Sequence, residues 1–297
     1  MTVIDRLLSP DSTFQKRFFF LAKRFVAGET IASAISAVRK INAQGMTATL
    51  DFLGEDVVER SAATKTRDTY IEMLDAIASS GVDTNVSVKM TAMGLLVDDD
   101  FALLNLKSVL ERAARNADPF VRIDMEGSAV TQKTLDLFER AYATNRNVGP
   151  VLQAYLKRSP ADVERAITLG ARVRLCKGAY NEPPSIAIKD MPAIREAYIK
   201  MAEVLLRRGN YPGIATHDVR IVDSIKSFAL RESVGAERFE FQMLYGCRPE
   251  LQRKLVSEGY RVRIYVPFGT HWAGYFYRRV LERRENAVFA LSSLFSR

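Results

Sequence analysis

The stretch FVRIDME, residues 120–126, alternates apolar and charged side chains, which is typical of a β-strand with two different faces. FEFQML, residues 239–244, and RVRIYV, residues 261–266, alternate in the same way. Parallel strands that are buried on both faces normally read as continuous apolar runs. The alternation therefore predicts a sheet whose apolar face lies under helices and whose polar face points into the lumen of a barrel.

Short apolar or alternating runs recur eight times after residue 46, each followed by a helix-like stretch. The strand candidates are Thr47–Leu53, Asn85–Met90, Phe120–Met125, Pro150–Ala154, Arg172–Lys177, Gly213–Thr216, Phe239–Leu244 and Arg261–Val266. Strand–helix alternation implies parallel strands joined by right-handed crossovers, and eight units in about 240 residues match an α/β fold, the (β/α)₈ TIM-type barrel. An open doubly wound sheet is the alternative, but the GxGxxG turn that typically follows its first strand is absent.

Two helices, at about residues 14–25 and 29–42, are expected before the first strand, with a break near Gly28. We therefore expect an N-terminal helical arm over residues 1–45 and a catalytic barrel over residues 46–297.

Two helices of the barrel carry recognisable end signals. Ser159 and Pro160 predict an N-cap followed by proline at the first helical position, and Gly170 predicts the end of that helix. Pro249 and Gly259 bracket another helix in the same way.

Composition excludes several classes of protein. At 297 residues and 47% hydrophobic content, the chain can bury one large core. No apolar run approaches the roughly 20 residues of a membrane span, and we expect no secretory signal. Cys176 and Cys247 form no CxxC pair, and His217 and His271 are the only histidines, so neither a disulfide framework nor a metal site is expected. The chemistry must come from other side chains or from an organic cofactor.

The net charge of +8 raises the question of nucleic-acid binding. The basic residues are spread along the chain, and the sequence has no zinc finger, RNP-type motif or Gly-rich arm. We therefore expect no nucleic-acid partner. A loosely basic surface fits anionic ligands or the negative face of a membrane equally well.

The polar strand faces would place many charged side chains in the lumen. These are Lys89, Arg122, Arg174, Arg261 and Arg263 with Asp51, Asp124, Glu126 and Glu240. Because isolated buried charges are very costly, they should form ion-pair networks. A structural salt-bridge layer at the lower end is expected from Arg122, Arg261, Arg263 and Glu240.

Polar residues at the carboxyl ends of the strands are candidates for an active site, because barrel active sites lie at that mouth. They are Lys89, Asp124, Gln153, Arg174, Lys177, His217, Gln242 and Tyr265.

Motifs along nearly the whole chain resemble those of the proline dehydrogenase family. They are VSVKM (86–90), VLQAYLKR (151–158), RLCKGAY (174–180), ATHD (215–218), FEFQMLYG (239–246), YRVRIYVPFG (260–269) and YFYRRVLERREN (275–286). RFVAGE, residues 24–29, resembles the N-terminal arm of the short, monofunctional bacterial enzymes. Several separate motifs in the family's order make this a specific signal.

The resemblance implies a flavoprotein that uses FAD to oxidise L-proline to Δ1-pyrroline-5-carboxylate, the first step of proline catabolism. The hydride would pass from proline C5 to flavin N5, and the electrons would then pass to a membrane quinone. The expected location is cytoplasmic, with peripheral contact at the inner face of the cytoplasmic membrane.

Matched residue by residue, the resemblance implies a substrate set and a cofactor set. The substrate set has Lys89, Arg278 and Arg279 for the proline carboxylate, Tyr180, Leu244 and Tyr265 for the ring pocket, Asp124 to support the charged cluster, and Glu282 to orient an arginine or touch the flavin. The FAD set has Gln153, Arg174, Cys176, Lys177, Gly178, Ala179, Thr216, His217 and Gln242, with Arg174 near flavin N5. The sequence departs from the family at Asn181, where larger bifunctional enzymes have an aromatic residue, and at Cys176, where an aliphatic residue is usual.

Other interpretations stay open at this point. A cofactor-free aldolase or lyase would use Lys89 or Lys177 as a Schiff-base amine. His217 suits a structural hydrogen bond as well as a flavin contact, and Tyr180 and Tyr265 suit packing in a core. A basic RNA- or membrane-binding protein on a degenerate barrel is a third class. Tyr265 favours proline over 4-hydroxyproline, because hydroxyproline relatives tend to place a smaller residue there.

Overall fold

In the computed structural model, which describes residues 22–276, eight parallel strands close into a barrel in chain order. The strands are β1 Thr47–Phe52, β2 Thr84–Lys89, β3 Val121–Asp124, β4 Val148–Gln153, β5 Arg174–Cys176, β6 Gly213–Ala215, β7 Glu240–Leu244 and β8 Val262–Phe268. Strand β8 pairs with β1 from Arg263 opposite Thr47 to Phe268 opposite Phe52, which closes the barrel. The predicted (β/α)₈ barrel is confirmed, and each strand lies within two residues of its predicted bounds.

Helices cover the outer face of the barrel. They are α1 Ile31–Asn42, α2 Arg60–Ser80, α3 Asp99–Ala113, α4 Ser128–Tyr142, α5 Ser159–Leu169, α6 Met191–Arg208, α7 Val219–Arg231 and α8 Pro249–Ser257. Helices α2 to α8 follow β1 to β7 in turn, whereas α1 packs against β1 and β8 and so covers the seam where the barrel closes. The predicted helix over 29–42 is confirmed, and most of the one predicted at 14–25 lies outside the described residues.

The core lies between the strands and these helices, as the alternation predicts. In β3, Val121 and Ile123 are fully buried on the helix side, while Arg122 and Asp124 take part in the polar contacts of the lumen. Burying an aliphatic side chain of this size contributes about 1.5–3 kcal/mol. Among the described residues, no helix is both long enough and apolar enough to cross a membrane.

The helix ends follow the sequence signals with one exception. Gly170 ends α5 in the left-handed conformation. Pro249 begins α8, and Gly259, which follows the end of that helix, also has a positive φ. The prediction that Ser159 is an N-cap is wrong, because Ser159 is already helical. Its hydroxyl donates to the backbone oxygen of Gln153 at 2.5 Å and so ties α5 to the end of β4.

The lower end of the lumen contains part of the predicted salt-bridge layer. Arg263 donates from Nε to Glu240 Oε1 at 2.8 Å, and its Nη2 lies 3.2 Å from Asp118 Oδ2. Burial alone would raise the pKa of Glu240, but the charge and hydrogen bond of Arg263, together with the Gln242 hydrogen bond and the Arg122 charge, outweigh burial and lower it. The paired charges are therefore retained in the barrel interior.

Two arginines of that layer differ from the prediction. Arg261 is exposed and donates to the Tyr211 hydroxyl at 3.2 Å, because it precedes the first residue of β8 and lies on the rim. Arg122 is buried, but its partners are the backbone oxygens of Pro150 and Arg172. No carboxylate among residues 22–276 forms an ion pair with either arginine, so the prediction of ion pairing was wrong for both.

Gly149 in β4 tests how tightly the lumen is packed. A Cβ there would lie 2.1 Å from the Arg172 backbone oxygen and 2.7 Å from the Phe120 ring. We expect Gly149→Ala to lower the free energy of unfolding by about 1–3 kcal/mol, because a strand backbone must shift. Urea unfolding measures this. Gly54→Ala is the matched control, because its Cβ meets nothing within 4 Å, and equal urea midpoints for the two variants would contradict the tight packing.

Candidate active site

Asp124, at the end of β3, joins side chains from three other strands. Its Oδ1 accepts hydrogen bonds from Arg174 Nη1 at 2.7 Å and from Ser87 Oγ at 2.6 Å. Its Oδ2 accepts a hydrogen bond from the Tyr265 hydroxyl at 2.7 Å. Burial and the Asp124 carboxylate hold the pKa of Tyr265 well above its usual value, so the phenol stays a donor. The Arg174 guanidinium also lies 5.3 Å from the centre of the Tyr265 ring.

Arg174 is fixed from its other side by Gln242. Its Nε donates to Gln242 Oε1 at 2.5 Å, and Gln242 Nε2 donates to Glu240 Oε1 at 2.5 Å. These two bonds fix the orientation of the Gln242 amide. The arginine is therefore held by Gln242, Asp124 and, at 3.4 Å, the Ser87 hydroxyl, and its Nη2 has no acceptor within the described part of the chain.

Lys89, at the end of β2, pairs with Asp51 of β1. Its Nζ donates to both carboxylate oxygens of Asp51, at 2.8 and 2.9 Å. Burial alone would lower the pKa of Lys89, but the charges of Asp51 and Asp124 outweigh burial and raise it. The amine is therefore held protonated, which argues against a Schiff-base role because that role needs a neutral amine. We call Asp51, Lys89, Asp124, Arg174, Gln242 and Tyr265 the mouth cluster.

A second charged group lies at the ends of β5 and β6. Lys177 Nζ lies 2.7 Å from Asp218 Oδ2, and Arg195 Nε of α6 donates to the same oxygen at 2.9 Å. Burial alone would raise the pKa of Asp218, but its bonds to Lys177 and Arg195 outweigh burial and lower it. Next to this group, His217 Nε2 accepts the Leu244 backbone N–H at 2.9 Å. His217 thus makes a structural hydrogen bond, which assigns the proton of a neutral ring to Nδ1.

The loop after β5 turns sharply at Gly178. Its φ is +113°, and a Cβ there would lie 2.2 Å from the Tyr155 ring, so only glycine fits. Ala179 beyond it is exposed, and Tyr180 is half-buried beside Gly127 at the start of α4.

Several polar residues near the strand ends make hydrogen bonds to the backbone of the barrel and its loops. Cys176 donates weakly to the Leu152 backbone oxygen at 3.6 Å, and burial raises the pKa of its thiol to about 12. That thiol is unsuited to nucleophilic chemistry. Gln153 is buried and donates to the backbone oxygen of Glu126 at 3.0 Å. The hydroxyl of Thr216, at the end of β6, accepts the Asp218 backbone N–H at 3.1 Å.

The structure thus brings together the mouth candidates on β2, β3, β5, β7 and β8. Arg278, Arg279 and Glu282 lie outside the described residues. Sequence reasoning did not single out Asp218 and Arg195 as the partners of Lys177. Asp218 stands inside the ATHD motif, which was a usable signal, whereas nothing in the sequence marks Arg195. Among residues 22–276, no group of three or more His, Cys, Asp or Glu side chains could hold a metal ion.

Glu126 also has a role that the sequence did not indicate. It lies beyond the end of β3, where its two carboxylate oxygens accept the backbone N–H and the hydroxyl of Thr91. The Thr91 hydroxyl oxygen in turn accepts the Asp56 N–H at 2.9 Å. The expected lumen ion pair of Glu126 is therefore wrong, because the chain has left the barrel wall there. Through Thr91, Glu126 instead links the loop over residues 53–59 to the end of β3.

Known proteins resemble this chain over most of its length. A family model described as proline dehydrogenase matches residues 34–291. The chain is 38% identical over 273 residues to proline dehydrogenase 1 of Bacillus subtilis subsp. natto, covering 92% of this chain and 90% of that protein. It is 38% identical over 285 residues to the proline dehydrogenase of Deinococcus radiodurans, covering 94% and 92%.

A solved structure has the same fold. Proline utilization A of Bdellovibrio bacteriovorus, inactivated by N-propargylglycine, matches with a TM-score of 0.83 at 27% sequence identity. The match covers 90% of this chain and 33% of that chain, so this chain spans about a third of that protein.

The barrel, its polar mouth and these relatives define an oxidoreductase. The chain belongs to the proline dehydrogenase family.

The two hydrogen bonds between Thr91 and the buried Glu126 carboxyl lead to a prediction of how stability changes with pH. Burial raises the pKa of Glu126 from 4.5 to about 6, although the Thr91 bonds oppose the rise. A carboxyl whose folded pKa is raised stabilises the fold below its unfolded pKa and loses that contribution as the pH rises through the folded pKa. As the pH rises from 4.5 to 6, the free energy of unfolding of the wild-type chain should therefore fall by about 2 kcal/mol. That of Glu126→Gln should not show this fall, because the glutamine amide does not titrate.

Urea unfolding of the two proteins across that pH range measures the difference. Glu139→Gln is the control, because Glu139 is on the surface and its pKa is lowered by Arg165. If the free energy of unfolding had the same pH dependence in wild type and Glu126→Gln, the raised pKa of the buried Glu126 would be contradicted.

Proposed function

We propose that this chain oxidises L-proline to Δ1-pyrroline-5-carboxylate with FAD as its cofactor. Membership of the family supports proline as the substrate class. The observation that carries the proposal is the mouth cluster, where a fixed guanidinium, a fixed phenol and a fixed ammonium converge at the carboxyl ends of the strands. Barrel enzymes bind and transform their substrates at this end.

The proline carboxylate would bind to Lys89 together with Arg278 and Arg279. Asp51 already balances the charge of Lys89, so this pair alone offers little attraction for an anion. The two arginines of the last motif would supply the excess positive charge and the forked donors that orient a carboxylate. Tyr180, Leu244 and Tyr265 would line the ring pocket, and Asp124 would hold Tyr265 and Arg174 in place.

Two polar side-chain atoms on the neighbouring strands β4 and β5 fit a flavin. Within the described residues, Gln153 Oε1 accepts no hydrogen bond and Arg174 Nη2 donates none. A flavin ring carries both donor and acceptor atoms at its edge, so one acceptor and one donor on neighbouring strands match it. The remaining proposed FAD residues stand at or just beyond the ends of β5 and β6, except for one in the middle of β7: Cys176, Lys177, Gly178, Ala179, Thr216, His217 and Gln242.

When bound, FAD supplies the acceptor for the hydride that leaves proline C5 as the ring nitrogen loses a proton and the C=N bond forms. The chain's own residues would position the substrate and stabilise charge on the cofactor. Arg174 and Lys177 would put positive charge beside the cofactor, which favours negative charge there on reduction. Lys89 and the two arginines would hold the substrate so that its C5 faces the cofactor.

We further propose a membrane quinone as the electron acceptor, reached by peripheral contact at the inner face of the cytoplasmic membrane. Large apolar side chains that are exposed on loops and at the first residue of α6, at the carboxyl-end face of the barrel, support this proposal. They are Val58, Leu96, Ile186 and Met191.

A visible spectrum of the purified protein tests cofactor and substrate together. We expect a yellow protein whose absorbance bleaches when L-proline is added without oxygen, and no bleaching with D-proline. Colourless protein that borohydride traps on a carbonyl substrate would contradict the proposal and favour an aldolase or lyase that uses Lys89 or Lys177.

A further inference from the structure

A large basin opens at the amino-terminal end of the barrel, opposite the mouth cluster. Its volume is about 1080 Å³, and its wall includes Arg146, Arg172, Arg261 and Tyr211. These residues precede strands β4, β5, β8 and β6, so the basin lies on the lower rim. A volume of this size is ample for a small molecule. We call this cavity the floor basin.

Aromatic rings hold three guanidiniums of the floor basin in place. Arg146 lies 4.4 Å from the centre of the Tyr142 ring, and Arg172 and Arg261 lie 5.2 and 5.6 Å from the centre of the Tyr211 ring. Stacking occupies the flat face of a guanidinium and leaves the N–H groups at its edge available. The three side chains are therefore ordered before any ligand binds.

The same three arginines have no acidic partner among residues 22–276. The side chains of Arg146 and Arg172 make no hydrogen bond to the described residues, and Arg261 donates only to the Tyr211 hydroxyl. Some surface arginines elsewhere are paired with carboxylates, as Arg165 is with Glu139. Edge donors that are ordered and unpaired are what an oxyanion requires.

The carboxylates of the basin do not supply that partner. Asp118 and Glu240 are both engaged by Arg263. Asp83 remains, and burial raises the pKa of its carboxyl, with Asp118 and Glu240 adding to the rise. Positive charge therefore exceeds negative charge on this wall.

Arg122 provides an independent observation at the bottom of the floor basin. It is 4% exposed, and its Nε has no hydrogen-bond partner. It lines a narrow cavity that shares Arg172 and Tyr211 with the floor basin. Burial and the neighbouring Arg174 charge lower the pKa of Arg122 well below its usual value, so nearby negative charge would relieve an unfavourable environment.

We propose that the floor basin binds a small polyanion with two or more phosphate or carboxylate groups, held by the edges of Arg146, Arg172 and Arg261. The guanidinium fork recognises both groups in the same way. The floor basin does not include the mouth cluster. The proposed function therefore does not depend on polyanion binding, and a failure of this proposal would leave the proposed function unaffected.

Calorimetric titration of the intact enzyme with pyrophosphate and with citrate, in a phosphate-free buffer of low ionic strength, tests the proposal. We expect saturable one-site binding of at least one of them. Arg146→Gln and Arg172→Gln should each raise the Kd about tenfold or more, because each removes a charge-assisted bond. Preference for pyrophosphate would identify a phosphate ligand, and preference for citrate a carboxylate ligand.

Arg208→Gln is the matched control, because it removes the same charge from an exposed arginine that is paired with Glu164 outside the basin. Its Kd should equal that of the wild type. If Arg172→Gln does not fold, the Kd values of Arg146→Gln and Arg261→Gln test the proposal. Both side chains are exposed, so their replacement should leave the fold intact. Absence of saturable binding, or equal weakening in Arg208→Gln, would overturn the proposal.

Discussion

The Asp124 carboxylate is the constraint on which the upper half of the lumen depends. It accepts hydrogen bonds from Ser87 of β2, Arg174 of β5 and Tyr265 of β8, and its side chain is 13% exposed. A carboxylate at the end of one short strand thereby fixes side chains from three other strands. Without that negative charge, Arg174 would be a buried cation with only the neutral Gln242 amide and Ser87 hydroxyl as partners, which is strongly unfavourable.

This upper network continues to the floor of the barrel. Gln242 joins Arg174 to Glu240, and Glu240 joins Arg263 and Tyr211. The lumen is therefore one hydrogen-bonded column of alternating charge, in which apolar strand faces pack outward and polar faces inward. Such a column explains how so many charges are retained inside a barrel, because nearly every one meets an opposite charge or a backbone carbonyl. Arg122 meets only backbone carbonyls, its Nε has no hydrogen-bond partner, and it lies next to the basin whose arginines also have no carboxylate partner among the described residues.

Much of this arrangement could be predicted from the sequence, because alternation is a local property. The eight strands follow from alternation together with short apolar runs, and the rule that barrel sites lie at the carboxyl ends placed Lys89, Asp124, Arg174 and Tyr265 at one mouth. Pairings between segments far apart in the chain were less predictable. Arg195 reaches Asp218 from a helix, and Thr91 meets Glu126 from a loop, and neither contact leaves a periodic signal.

The errors share a physical origin at the strand ends. Arg261 continues the alternation of β8, yet it stands one residue before the strand and is exposed at the rim. Glu126 continues the alternation of β3 after the strand has ended. A period of two shows which side a residue faces while the strand lasts, but it does not show where the strand stops. Arg278, Arg279 and Glu282 lie outside the described residues, so their roles at the mouth of the barrel stay predictions.

A double-mutant cycle on the rate at which L-proline bleaches the enzyme's visible absorbance tests the central role of Asp124 most directly. Asp124→Asn and Tyr265→Phe should each slow the reaction, and the double variant should be little slower than the worse single one, with a coupling of about 1 kcal/mol or more. That result would show that the carboxylate acts through the phenol it holds. Slowing factors that simply multiply would contradict the account, because Asp124 and Tyr265 would then act independently.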